Sequence, residues 1–331
     1  MKQNYNNQEF LLGIDTGTSK THALISDTSG KVHGFGIAGS GNYEVVGKEN
    51  MILAMQSAVD QALLMAGIDN SEIKGMGFGL SGYDWPSEKP LMIDAIEALT
   101  IKSPYQFVND VVIGLFAGAS EGWGVAVDAG TGNNVRGIDE KGVMGRITGN
   151  SVQFGEFGGG GEMVWRAMVA VIYAWTLRGP KTRLTQLMVD FSEVEDEEAL
   201  IEHLAMGRLH LPASLALDIF RLAHEGDRIS HEIINFSAQE LAKNTNAVIK
   251  QLNFQDRVFE VILIGSVFDA GEIYLDPFQK TIHAFAPGAK FIRLETPPVV
   301  GAVVLAAKTV GIENPDFRSN LQSSMSRLLD H

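Results

Sequence analysis

Short apolar runs closed by polar turns alternate, over the first third of the chain, with longer stretches whose apolar residues recur every three or four positions. The first pattern is that of a strand and the second that of one helix face. Phe10-Leu11-Leu12-Gly13-Ile14 predicts a strand, and a second strand-like stretch runs to the turn Asp27-Thr28-Ser29-Gly30. Lys48 to Ala66 places Met51, Ile52, Met55, Ala58, Val59, Ala62 and Leu63 on one face, with Gly67 as the stop. Gly75 to Leu80 predicts a buried strand leading into Ser81-Gly82-Tyr83-Asp84, and Lys89 to Leu99 a helix after Pro86. Tyr105 to Val108 predicts a strand ending at Asn109-Asp110, after which Val111, Val112, Leu115, Phe116 and Ala119 mark a helix. Strand-then-helix alternation makes this half α/β. The second half opens with the strand Gly124 to Val127, passes a glycine-dense loop from Phe154 to Gly161, and turns mostly helical from Met163 to about Leu252. Those helices have the character of an insertion. A late strand, Val261 to Ile264, ends in Gly265-Ser266, and after Ala289 to Leu294 the pair Pro297-Pro298 precedes an apolar helix from Val299 to Val310.

Both halves begin alike. Asp15-Thr16-Gly17-Thr18 and Asp128-Ala129-Gly130-Thr131 each follow a short strand, each lead into another, and each unit closes on a polar turn, Asp27 to Gly30 or Asp139 to Gly142. A mere hairpin has no reason to recur at the head of each half, so the repetition implies two related domains facing each other. No Ser/Pro-rich linker separates them, and the repeat alone sets a boundary near Ser120-Glu121-Gly122, giving residues 1–120 and 121–331. A glycine turn brings backbone N–H groups close to a ligand and Thr adds a hydroxyl donor, which together make an anion site. An Asp beside it cannot hold phosphate, but it can hold the hydrated Mg²⁺ that accompanies a triphosphate. The combination suits a nucleotide.

With 331 residues and 45% hydrophobic composition the chain is that of a soluble two-domain protein. A net charge of −14 with no Lys/Arg-rich run argues against nucleic acid. No apolar run approaches the ~20 residues of a membrane span, and Met1 to Asn7 lacks an apolar signal core, so a cytoplasmic protein is expected. The absence of cysteine excludes disulfides, thiolate zinc sites, iron–sulfur clusters and cysteine nucleophiles.

Asp110 is the candidate catalytic residue. An acid at the carboxyl end of a strand stands where open α/β sheets place their ligand crevice, and it could take the proton of an attacking hydroxyl. The competing reading is a helix N-cap. Glu156, in the glycine loop, has no evident packing duty and is a candidate to grip a substrate hydroxyl. Asn42, in the polar loop Ser40-Gly41-Asn42-Tyr43, could bind a polyol or simply turn the chain. Gly34 to Gly39 matches the dinucleotide-binding glycine pattern, but a polar loop follows where a helix is required. His203, His210, His224 and His231 lack the close spacing of a helical metal pair and fit solvated helix faces. No Walker A motif is present.

The two hairpins, the acid that ends a strand between them and Gly-Ser after a late strand resemble the actin, heat-shock chaperone and sugar kinase superfamily. Within it the chain is most similar to the N-acetylglucosamine kinase and BadF/BadG/BcrA/BcrD ATPase family. Gly13 to Thr21 resembles the first phosphate motif, Gly79-Leu80-Ser81-Gly82 a substrate-side loop, and Asn109-Asp110 the base motif. Ala129 to Asn133 resembles the second phosphate motif, Ile264 to Val267 the adenosine motif, and Pro298 to Ala302 the C-terminal helix. The resemblance implies a two-domain actin-like ATPase (ribonuclease H-like) α/β fold with an interdomain cleft, a helical insertion in the second domain and a C-terminal tail that packs back on the first. It implies ATP and Mg²⁺ as cofactors, with Asp15 organising the metal through water. Gly17, Thr18, Lys20, Thr21, Gly130, Thr131, Gly132 and Asn133 would serve the phosphates, and Gly265 and Ser266 the adenosine. Asn42, Ser81, Asp110 and Glu156 would hold a small-molecule sugar, an N-acetylated hexosamine first and free glucosamine, a muramic acid derivative or another sugar behind it; a homodimer is one possible assembly, and the sequence leaves the oligomeric state open.

Two departures mark the chain. Glu156 and Phe157 stand where the family usually has Asp and Glu, and Asp128 where an apolar residue or Ser is usual. Relatives that activate radical dehydratases need cysteine-held iron–sulfur clusters, and repressor/kinase relatives need cysteine ligands to zinc, so neither mechanism is open to this chain. A nucleotide- or sugar-binding regulator without catalysis is the alternative that sugar-dependent ADP release discriminates.

Overall fold

The structure, a computed structural model, describes residues 9–329. The segment Met1 to Asn7 lies outside the described residues. The first half runs β1 (Phe10–Thr16), β2 (Thr21–Asp27), β3 (Val32–Ala38), α1 (Tyr43–Ala66), β4 (Ile73–Leu80), α2 (Lys89–Glu97), β5 (Tyr105–Asn109) and α3 (Asp110–Gly118). The second begins with β6 (Gly124–Ala129), β7 (Asn133–Ile138) and β8 (Met144–Arg146). Five helices follow: α4 (Gly160–Trp175), α5 (Leu184–Ser192), α6 (Glu197–Ala205), α7 (Ala216–His224) and α8 (Arg228–Gln251). It ends with β9 (Phe259–Ile264), α9 (Glu272–His283), β10 (Ala289–Arg293), α10 (Val299–Thr309) and α11 (Phe317–Leu329).

The ten strands form two five-stranded sheets of identical plan, β3-β2-β1-β4-β5 and β8-β7-β6-β9-β10. In each, the first three strands in sequence pair antiparallel as a meander, and the last two add in parallel on the other side of the leading strand. Antiparallel neighbours need only tight turns, whereas each parallel addition needs a helical crossover. The crossovers are α1 and α2 in the first half, and the α4–α8 block and α9 in the second. The helical region expected from Met163 to Leu252 is therefore the third-to-fourth strand connection, enlarged.

Gly34 and Gly36, the glycines of the dinucleotide-like pattern, lie inside β3, and a Cβ on either would strike the carbonyl oxygen of Ala62 or Ala58. They let α1 lie hard against the sheet. That contact buries Met51, Met55, Ala58, Val59 and Ala62 completely. The predicted helix begins earlier than Lys48, at Tyr43, and breaks its helical geometry at Gly47, where φ is 79°.

Helices α3 and α10 lie between the sheets, and a Cβ on Gly301 of α10 would strike the carbonyl of Ile113 in α3. Leu11 and Leu24 of the first sheet, Leu115 of α3, Ala126 and Ile262 of the second sheet, and Val303 of α10 belong to one buried cluster. Helix α10 comes from the end of the chain yet packs on β1 and β4, and α11 reaches β3. The carboxyl ends of β1 and β6 thus face a common cleft. Among the described residues no helix is long and apolar enough to cross a membrane.

Candidate active site

A cavity of about 230 Å³ sits in that cleft, lined among others by Asp15, Gly17, Thr18, Asp110, Asp128 and Thr131. Both hairpins and the candidate base, more than 100 residues apart at the extremes, meet on this one surface. The first hairpin turns through Gly17 to Lys20, closed by the Gly17 N–H donating to the Lys20 carbonyl at 2.8 Å. The second turns through Gly130 to Gly132. Its carbonyls at Gly130 and Thr131 accept from the N–H groups of Gly160 and Gly161, both at 2.8 Å, at the start of α4. Gly132 also lines the cavity, whose far wall carries Ile264 and Pro298.

Asn109 caps α3: its Oδ1 accepts from the Val111 N–H at 3.1 Å, and its backbone is extended. The capping position considered for Asp110 thus belongs to its neighbour; Asp110, whose Oδ1 also accepts from the Val111 N–H at 3.0 Å, lines the cavity. Burial is the main reason its carboxyl is pushed up to about 8, followed by the charges of Asp15, Asp128 and Asp84; a hydrogen bond from Ser81 opposes the rise. Asp128 is pushed up to about 7, again by burial first and by Asp15 second, with Arg293 opposing. Asp15 is raised as well, by burial, against His22, whose Nδ1 lies 3.8 Å from its carboxylate. A general base that must gain a proton in the reaction is served by a value near neutrality.

Asp15, Asp110 and Asp128 turn three carboxylates onto one cavity, and each resists ionisation in that company. Among the described residues no group of three or more His, Cys, Asp or Glu stands close enough to chelate a metal directly. A divalent cation held through water would relieve the mutual repulsion, so the donor set fits Mg²⁺.

Several predicted residues support the cavity from behind. Thr21 is fully buried and donates to the Gly39 carbonyl at 2.9 Å, which takes its hydroxyl away from any phosphate. Asn133 is buried, its Nδ2 on the Glu156 carbonyl at 3.3 Å and its Oδ1 without a protein partner. Lys20 and Ser266 are exposed at the cleft's hairpin and late-strand loop. Gly265 has φ of 94°, and a Cβ there would strike the Ala129 carbonyl, so glycine alone lets β9 end against the second hairpin.

Beside the first hairpin, Ser81 N–H donates to Thr16 Oγ1 at 3.0 Å, which joins the Ser81 loop to that hairpin. Asn42 caps α1 by accepting from the Glu44 N–H at 3.0 Å, and its Nδ2 reaches Thr18 Oγ1 at 3.4 Å. The reading of Glu156 as free of structural duty is corrected. Its carboxylate is buried, with Oε1 accepting from Thr148 N–H and Oγ1 at 2.8 and 2.9 Å and Oε2 from Asn150 N–H at 2.9 Å. It folds the loop between β8 and α4. Phe157, beside it, packs edge-on against Phe236 of α8.

Sequence reasoning passed over Asp84 and Arg136. The guanidinium of Arg136, 2% exposed, donates to Asp84 Oδ1 from the opposite half of the molecule. The only sequence signal was an arginine inside a short strand that follows a phosphate-type hairpin.

The model of the BadF/BadG/BcrA/BcrD ATPase family matches residues 12–306. The chain is 28% identical over 300 residues to the N-acetylmuramic acid/N-acetylglucosamine kinase of Clostridium acetobutylicum, covering 90% of this chain and 98% of that one. It is likewise 28% identical over 312 residues to the N-acetyl-D-glucosamine kinase of Dictyostelium discoideum, with the same coverage. A crystal structure from Chromobacterium violaceum named for an N-acetylglucosamine kinase superposes with a TM-score of 0.68 at 20% identity, covering 90% of this chain and 99% of that one. The last likeness shows a shared fold, the two-sheet actin-like ATPase architecture.

Proposed function

The chain belongs to the BadF/BadG/BcrA/BcrD ATPase family, and from that premise we propose an ATP-dependent kinase that transfers the γ-phosphoryl group of ATP to a hydroxyl of an amino sugar, N-acetylglucosamine-like substrates first. Two relatives matched over nine-tenths of this chain carry amino sugar kinase names. The observation that carries the reading is Asp110 on one cavity with both hairpin turns.

In this reading Asp110 accepts the proton of the sugar hydroxyl as its oxygen bonds to the γ-phosphorus, while the bond to the departing ADP breaks. The hydroxyls of Thr18 and Thr131 donate to the phosphates, Gly17, Gly130 and Gly132 let the two turns approach them closely, and Lys20 adds a cation at the rim. Asp15 would hold Mg²⁺ through water, and the ion would supply positive charge against the phosphate oxygens. Asn42 and Ser81 bind the sugar beside Asp110, and Glu156 acts on the sugar through the Thr148–Asn150 loop it folds. Gly265 and Ser266 flank the adenosine. Closure of the cleft excludes water, which would otherwise compete as the acceptor. No observation favours the non-catalytic regulator.

The test is ADP release with MgATP over hexoses, hexosamines, N-acetylhexosamines and muramic acids. Stimulation by an N-acetylated amino sugar, absent in Asp110→Asn, is the expected result. ATP binding that no amino sugar turns into ADP release would sink the proposal.

A further inference from the structure

Arg136 and Arg146 face each other across β7 and β8 as directly paired residues. Like charges opposed on adjacent strands repel, and Arg146 does make Arg136 harder to keep charged, after burial as the larger cause. The counter-ion comes from the other half. Asp84, in the segment after β4, accepts from the Arg136 guanidinium through Oδ1, and its backbone carbonyl accepts from Arg146. Arg146 also lies over the Trp85 ring, 4.4 Å from its centre. Asn134 of β7 reaches the same Asp84 oxygen at 3.5 Å.

The segment is held ready for this contact. Glu88 Oε2 accepts from the N–H groups of Asp84 and Trp85, each at 2.7 Å, and Glu88 Oε1 accepts from the Tyr43 hydroxyl at 3.0 Å. Asp84 in turn touches the base's own scaffold. Asn109 Nδ2 donates to Asp84 Oδ1 and to the Tyr83 carbonyl, both at 3.3 Å, while its Oδ1 caps the helix that Asp110 begins. Parting the halves would strand a buried guanidinium beside another and leave the cap of α3 without its brace. Removing one member of a buried pair costs far more than the pair contributes, so such a contact specifies an arrangement more than it stabilises one.

We propose that Asp84 and Arg136 are positioning residues, a clasp between the halves that favours the closed cleft and sets Asp110 through Asn109. The effect on phosphoryl transfer rests on the kinase reading above; the effect on closure does not. Four charged groups act on Asp110: Asp15 of β1, Asp128 of β6 and Asp84 disfavour its ionisation, and Arg136 of β7 favours it.

The test uses the full chain with Asp84→Asn and Arg136→Gln. Small-angle scattering of the nucleotide-free protein reads closure, and kcat/KM for N-acetylglucosamine at saturating MgATP is followed against pH. Both variants are expected to have a larger radius of gyration and kcat/KM lower by about tenfold or more, with ATP affinity within about twofold of wild type. The acid limb of the profile moves in opposite directions, to lower pH in Asp84→Asn and to higher pH in Arg136→Gln, a split that mere loosening would not produce. Arg136→Lys, which keeps the charge but not the fork, returns the limb toward its wild-type position and covers the case in which Arg136→Gln does not fold. Scattering identical to wild type in both variants, or limbs that shift the same way, overturns the clasp. A wild-type protein inert toward every amino sugar overturns the kinase reading instead, and scattering still decides the clasp.

Discussion

The two halves share one strand order and part company where the last parallel strand enters a helix. After β5 the chain begins α3 with Asp110; after β10 the corresponding helix, α10, begins behind Pro298 with Val299. Both ends reach the same cavity, one as a carboxylate and the other as an apolar wall. The hairpins differ as well. Both expose a threonine, Thr18 or Thr131, but the first is tied at the Gly17 carbonyl by the Gly41 N–H, ahead of α1, and the second at the Gly130 and Thr131 carbonyls by N–H groups at the start of α4. The repeated plan therefore supplies a cleft with a glycine turn on each side, and its symmetry is broken where one half presents Asp110 and the other Pro298.

The sharpest way to break this comparison is Asp110→Asn. It removes the base and leaves the cradle, so sugar phosphorylation should fall about 10²- to 10⁴-fold while ATP binding, measured by titration calorimetry, persists. Turnover near wild type would mean the asymmetry is not catalytic.

Gly130→Val and Gly17→Val compare the turns themselves. A Cβ on Gly130 meets nothing within 4 Å, whereas one on Gly17 comes 3.1 Å from the Lys20 carbonyl of its own turn. Gly130→Val should weaken nucleotide binding by on the order of tenfold without changing the melting temperature, because the added bulk occupies only ligand space. Gly17→Val should weaken binding and also lower the melting point. Unchanged ATP affinity in either variant removes that hairpin from the phosphate site.

The pH profile tests how the acids share the cavity. With its carboxyl pushed up to about 8, Asp110 is protonated on the acid side, so kcat/KM should rise with pH toward that value. Asp128→Asn removes one of the charges that raise it and should carry the acid limb to lower pH. A limb that stays in place would separate Asp128 from the base.

The smallest effect is on stability. Asp128 has a folded-state value near 7, above the ordinary one, so its contribution is full at low pH and is lost as pH rises through that value. Asp128→Asn should therefore gain stability relative to wild type, on the order of 1 kcal/mol, between about pH 5 and about pH 8. Thermal unfolding without nucleotide at the two pH values checks it, and an equal difference at both would contradict the burial argument.

Much of this was legible because it is local. Helix α1 announces itself by apolar spacing, and Asp110 by its place between a strand and a helix. Other elements carried weaker signals: α11 buries only Phe317, Leu321 and Met325, and α9 contains Pro277. Glu156 looked idle because its partners, Thr148 and Asn150, reach it only when the loop folds back. Asp84 and Arg136 gave nothing to spacing rules, since they lie 52 positions apart on opposite halves.

By itself the sequence determined the duplicated strand–turn–strand units, the α/β alternation, the enlarged helical connection and the exclusion of cysteine chemistry, because each depends on residues near one another in the chain or on composition. Tertiary structure alone decided that the two turns and Asp110 share a cavity, that α10 crosses from the end of the chain to pack on the first sheet, and that Asp84 answers the opposed arginines. Burial, electrostatic shifts and cross-cleft ion pairs depend on distances in space, and those exist only once the two sheets have closed around α3 and α10.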